Sequence, residues 1–126
     1  MNKKDQVVEV LNNARSLIEP RGKWIKGAEA KTHAGRIVGA TDQKACKFCA
    51  IGALNAAGTY TDMHTMSAAQ DFLDVAMVTD ISWDDIEQVN DRSTTKQLHV
   101  LMAYDFAILM AEDDLRKKTK RGTRAS

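Results

Sequence analysis

Cys46 and Cys49 stand three residues apart within the run Ala45-Cys46-Lys47-Phe48-Cys49-Ala50-Ile51-Gly52-Ala53-Leu54. Two thiols at that spacing suit zinc binding or dithiol redox chemistry. A zinc site needs a second ligand pair at comparable spacing, and a redox dithiol opens a helix beside a parallel sheet. The chain offers neither context, because His33, His64 and His99 are scattered singly. We therefore expect no metal, no cofactor and two free thiols. Cys49 alone remains a possible nucleophile, with His99 as base and Asp91 orienting it, the arrangement of a cysteine-dependent hydrolase or transferase. Against that reading, helical periodicity places Cys49 about two turns inside a helix, away from the terminal dipole that would stabilise a thiolate, and a small buried hydrophobe is the simpler role. Neither G-x-x-x-x-G-K-[ST] nor G-x-G-x-x-G occurs, so there is no phosphate loop.

A second set of residues suggests binding rather than reaction. Trp24 and Trp83 are followed by small or polar residues, the setting of tryptophans that cover a core edge while the indole N–H reaches a polar partner. Asn90-Asp91 supplies turn and cap chemistry, and Asp91 is a candidate acceptor for the Trp24 indole or for a backbone amide. Together Trp24, Trp83, Asn90 and Asp91 form a candidate contact surface. The last eleven residues carry Arg116, Lys117, Lys118, Lys120, Arg121 and Arg124 and no acid, which leaves about −5 on the body and +6 on the terminal segment. Lys117, Lys118, Lys120, Arg121 and Arg124 are accordingly candidates for nucleic-acid contact through a flexible basic tail.

The elements that must position these groups follow from apolar spacing. Val7, Leu11, Ala14 and Ile18 share one stripe of a first helix over 5–18, which Pro20 ends. Residues 24–31 and 36–39 form short extended pieces or an irregular hairpin around Thr32-His33-Ala34-Gly35, with Gly35 supplying a positive φ. Thr41-Asp42 caps a second helix over 42–57, stopped by Gly58 in a left-handed conformation. After a polar connector, Ser67 caps a third helix over 67–79 whose inner side is Ala68, Phe72, Val75 and Ala76. Ser82-x-x-Asp85 starts one or two turns before Asn90. Ser93 or Thr94 caps a long helix over 94–115, apolar on nearly every face from Leu98 to Ala111, which marks a helix surrounded by others. His99 and Asp105 interrupt it and need partners if buried.

The expectation is a mainly α fold: a single-domain bundle of four to five helices over 1–115, with a short irregular or β-hairpin segment after helix 1, and a basic tail over 116–126. With 126 residues, 44% apolar and 28% charged, one proline and seven glycines, the chain can bury a core of its own without a disulfide or metal. No run approaches the ~20 apolar residues of a membrane span, and Met1-Asn2-Lys3-Lys4-Asp5 leads into charged helix rather than an apolar signal core. Two unpaired cysteines fit a reducing compartment, so the expected location is cytoplasmic, with no membrane partner.

Three blocks then line up in order: Trp24-Ile25-Lys26-Gly27-Ala28, Cys49-Ala50-Ile51-Gly52-Ala53-Leu54, and Asn90-Asp91 ahead of the long helix. This pattern, W-x-x-G-A, C-x-x-G-A-L, N-D, resembles that of an uncharacterised family of small bacterial and phage proteins over about 20–111. The resemblance implies no assigned activity. Trp24, Cys49, Gly52 and Asn90-Asp91 are its matching positions, whereas Cys46 has no counterpart, which counts against any mechanism needing both thiols. A small phage or mobile-element accessory protein, located in the host cytoplasm if phage-encoded, fits the pattern. The sequence thus favours a protein that engages a macromolecular partner, most simply another protein, over the Cys49 enzyme and over nucleic-acid binding by the tail.

Overall fold

A computed structural model describes residues 3–78 and 85–125, with side chains for 6–78 and 85–114. Five helices and three two-residue strands follow in the order α1 (Lys3–Ile18), β1 (Ala30–Lys31), β2 (Ile37–Val38), β3 (Lys47–Phe48), α2 (Ala50–Ala57), α3 (Met63–Met77), α4 (Ile86–Asp91) and α5 (Gln97–Ala125). The fold is mainly helical, with a small antiparallel sheet after the first helix. Its strand order is β2-β1-β3, with Ala30 opposite both Val38 and Phe48. Gly35, at φ 90°, closes the turn between β1 and β2.

α1 buries Val7, Leu11, Ala14 and Ile18 as the stripe requires, and Val10 beside them. Its last carbonyls, which no helical amide reaches, are taken up by a side chain from α5: Gln97 Nε2 donates to Ile18 O at 2.7 Å and to Glu19 O and Pro20 O at 3.2 Å. α1 packs on α2, α3 and α5, and α3 packs on α5. Ala50, Ala53 and Leu54 of α2 meet Leu73 of α3 and Val100, Tyr104 and Ala107 of α5 in one core.

Several helix boundaries differ from the sequence expectation, most of all where a local interaction competes with helical periodicity. α2 begins at Ala50, not 42, because Lys47 and Phe48 pair with β1 and Cys49 N donates to Glu29 O at 3.1 Å. Thr41-Asp42 makes a turn instead, with Asp42 Oδ1 accepting from Lys44 N. Gly58 ends the helix at φ −97°, which is not left-handed; a Cβ there would lie 1.9 Å from Met66 Sδ, so close approach is what a side chain would obstruct. α3 begins four residues before Ser67, capped by Asp62, whose carboxylate accepts from Thr65 N at 2.8 Å. The most buried line of α3 is Thr65, Ala69, Leu73 and Met77; the expected Ala68, Phe72 and Ala76 pack against the core beside it, and Val75 is exposed.

α4 is capped by Asp85 rather than Ser82, which lies outside the described residues. Asp85 Oδ1 accepts from Gln88 N at 2.9 Å while Gln88 Oε1 accepts from Asp85 N at 2.8 Å, a complete capping box. α5 starts at Gln97, with His99 Nδ1 accepting from Lys96 N at 3.0 Å in place of a Ser93 or Thr94 cap. Its backbone stays helical through Ala125, so the basic segment continues this helix. The long helix is not surrounded: Val100, Tyr104, Ala107, Ile108 and Ala111 face the core, and the opposite face is open.

Candidate functional site

The three motif blocks converge on the N-terminus of α2. Asn90, completely buried, is the centre of the knot. Its Oδ1 accepts from Trp24 Nε1 at 2.7 Å and from Ala50 N at 3.0 Å, and its Nδ2 donates to Ile25 O at 3.1 Å and to Asp91 Oδ1 at 3.0 Å. An amide side chain has two donors and two acceptor sites, and all four are used. Asp91 Oδ1 also accepts from Gly27 N, and Lys26 Nζ, over the Trp24 ring, donates to Arg92 O. On the far side, Tyr104 OH donates to Ala50 O at 2.7 Å from within the core. The 24–27 segment runs along β3, with Ile25 N donating to Phe48 O at 3.0 Å. β3, α2, α4 and α5 are thereby fastened at one point.

Gly52 follows from the same crowding. A Cβ on it would sit 2.0 Å from Glu29 O, the carbonyl that receives the Cys49 amide. Only glycine lets the β1 approach and the first turn of α2 share that space.

Cys49 is the N-cap of α2, a correction to its expected place two turns inside the helix. Its Sγ accepts from Gly52 N at 3.3 Å. The position would favour a thiolate, yet the surroundings oppose it. The side chain is 2% exposed, and burial pushes the thiol up to about 11, only partly countered by the Gly52 and Ile51 amides, with Glu87 and Asp91 adding repulsion. A cavity of about 100 Å³ lined by Gly27, Ala28, Cys49, Glu87 and Asp91 lies beside it. That cavity holds two carboxylates and no imidazole. His99 is exposed at the start of α5 and lines a different cavity with Met77, Val89 and Arg92. Asp91 therefore meets Cys49, and His99 does not. With Ala50 N and Gly52 N already bonded, the helix terminus keeps no amide pair aimed at an external oxyanion.

The other expected site residues fall as follows. Trp24 is half-buried, Asp91 exposed and Asn90 sealed inside, so the surface expected around Asn90 reduces to its rim. Trp83 lies outside the described residues, as do the side chains of Lys117, Lys118, Lys120, Arg121 and Arg124. Cys46, half-buried ahead of β3, donates its amide to Lys31 O and stands in a different element from Cys49; both thiols are free. Among the described residues no three His, Cys, Asp or Glu side chains cluster to hold a metal, and no helix is long and apolar enough to cross a membrane. Asp105 is half-exposed and paired with Arg15 at 2.7 Å, which ties α1 to α5.

One feature of the surface escaped the sequence. Leu98, Met102, Phe106 and Leu109 are 63%, 57%, 54% and 61% exposed, and their spacing of 4, 4 and 3 aligns them along the outer face of α5. The signal was present in the sequence: a helix apolar all round has more apolar faces than a small bundle can cover. No curated protein and no solved structure matches the chain. The family model that does match covers residues 2–109, and the chain belongs to that family, a family of unknown function designated DUF6197.

Proposed function

We propose that this protein works by engaging another protein through the outer face of α5, and not by catalysis at Cys49. The observation that supports this reading is the row Leu98, Met102, Phe106 and Leu109, four large apolar side chains each more than half exposed along one side of α5, since clustered exposed apolar residues mark interaction sites. The knot behind the motif argues the same way from the inside. Trp24, Asn90 and the amides of Ala50 and Gly52 spend their hydrogen-bonding capacity on one another, and Cys49 is held protonated without a base. The phage or mobile-element setting implied by the motif pattern fits an accessory role in which a host or phage protein is the target.

Co-purification from the source cells, compared across variants, tests the reading. A partner retained by wild type and by Cys49→Ala but lost from Met102→Asp/Phe106→Asp supports it. A partner lost with Cys49→Ala and retained by the α5 variant contradicts it.

A further inference from the structure

Whichever partner α5 engages, we propose that the outer face of the small sheet binds double-stranded nucleic acid along its phosphate backbone, with Lys31, Lys47 and Lys23 as the contact row. Charge is segregated along this chain. Residues 20–48 carry seven cations against Glu29 and Asp42, whereas 49–115 carry twelve acids against Arg92 and Lys96. Such a body repels a polyanion through its helical part and attracts it through the sheet.

Strand register gathers the cations on one face. β1 pairs with β2 through Lys31 and Ile37 and with β3 through Lys31 and Lys47, so these three side chains stand on one side, opposite the buried Ala30 and Phe48. Beyond β3 the segment 23–25 runs parallel to it, bridged at Trp24 to Phe48, which sets Lys23 beside Lys47. Neighbouring chains of a sheet lie about 4.8 Å apart, so the three lysines span about 10 Å. Arg36, exposed at the hairpin end, and Lys44, exposed ahead of β3, flank the row. Among the described residues none of these five cations has an ion pair. The acids of this region are engaged elsewhere: Glu29 accepts from Asn55 Nδ2, Asp42 from the Lys44 amide, and Asp91, at the α4 end, from Gly27 N and Asn90 Nδ2.

Like charges directly across a ladder repel and weaken the pairing. Lysines on an edge strand guard it against further pairing, but β1 is the central strand and β3 has a neighbour on both sides, so that role does not account for Lys31 and Lys47. An anionic chain from outside relieves the repulsion. The composition of the face selects the occupant. Lysine is depleted at protein interfaces, and Ile37, 67% exposed, is the apolar member of the row, which leaves little to bury against a protein or a lipid. The row has no Phe, Tyr or Trp on which unpaired bases would stack. Duplex phosphates, with one charge per about 1.7 Å of axis, require only cations, and contacts of this kind read no sequence.

Fluorescence anisotropy of a mixed-sequence DNA duplex titrated with the full chain over a salt series tests this. Three phosphate contacts contribute a slope of log affinity on log salt of about −2.7, about a 40-fold loss from about 50 to about 200 mM salt. Lys23→Gln/Lys31→Gln/Lys47→Gln should flatten the wild-type slope by about 2.7, whatever the 116–124 segment adds to both, and Lys47→Gln alone by about 0.9. Lys23→Arg/Lys31→Arg/Lys47→Arg should keep the wild-type slope. Equal slopes in wild type and both Gln variants, or no duplex binding at the lowest salt, overturn the proposal. Tighter capture of polyglutamate, of phosphatidylserine vesicles or of a single strand than of the duplex at equal anionic charge overturns the choice of duplex nucleic acid as the occupant.

Discussion

The two regions of this molecule that attract attention differ in what they leave unsatisfied. Around the α2 N-terminus, four elements bring together an indole, an amide, a phenol, a thiol and several backbone amides, and each has a partner: Trp24 on Asn90, Asn90 on Ala50, Tyr104 on Ala50, Cys49 under Gly52. Along the outer face of α5, four large apolar side chains have water. Residues of reactive type are therefore bonded to one another, while four residues without chemistry face water. Type and spacing suggest chemistry, but unused capacity indicates function. The motif block that distinguishes the chain is, on this account, the fastening that sets the direction of α5.

The contrast can be broken from the inside first. Asn90→Ala strands the Trp24 indole, the Ala50 amide and the Ile25 carbonyl, three groups for about 1–3 kcal/mol each. We expect a loss of about 4 kcal/mol in urea unfolding, a large part of the 5–15 kcal/mol that holds a domain of this size; a loss below about 1 kcal/mol would show that the knot is not structural. Gly52→Ala should cost about 3 kcal/mol by the same measurement, since its Cβ meets a backbone carbonyl that cannot step aside.

The thiol gives a signed pH dependence. In the unfolded chain Cys49 ionises near its ordinary value of 9.0, and in the folded chain only near 11. The raised value means its contribution is intact below pH 9 and is lost as pH climbs toward 11, about 2 to 3 kcal/mol over that window. Tyr104, pushed well above 10.0 by burial and by Cys49, acts in the same direction. Unfolding free energy measured from pH 8 to 11 should fall, and fall less steeply in Cys49→Ala; a wild-type profile flat across that range would mean the thiol is not buried. At the other end of the scale, Leu98→Gln or Phe106→Gln at low protein concentration should change stability by no more than about 0.5 kcal/mol, because these side chains have little to lose on folding alone. A loss of 2 kcal/mol or more would place them in the core.

Much of the architecture was legible from the residues. The α1 stripe, its end before Pro20 and the turn at Gly35 follow from local rules that tertiary contacts do not oppose. The start of α2 was not legible, because small alanine-rich residues carry helical periodicity upstream into 42–48, where strand pairing with β1 overrides it. That single boundary moved Cys49 from a helix interior to a helix cap. Asp62 and Ser67 are both good caps by residue type, so the start of α3 was equally hard to read, and its apolar stripe is broad enough that Ala68, Phe72 and Ala76 flank the buried line of Thr65, Ala69, Leu73 and Met77. The Trp24 to Asn90 bond was out of reach as well. By charge Asp91 is the better acceptor, and nothing local reveals that an amide with four usable sites is what a junction of four elements requires. The α5 pattern is apolar on nearly every side, yet the helix is not surrounded, because periodicity does not say whether the rest of the chain can cover every face.

Photo-cross-linking from two positions tests most directly the claim that the knot is scaffold and α5 is the working surface. A photoreactive residue is placed at Met102 in one sample and at Asp91 in the other, and both are irradiated in the source cells. The account predicts covalent protein adducts from position 102, with a second copy or another protein, and none from position 91. Adducts from position 91 alone would contradict it.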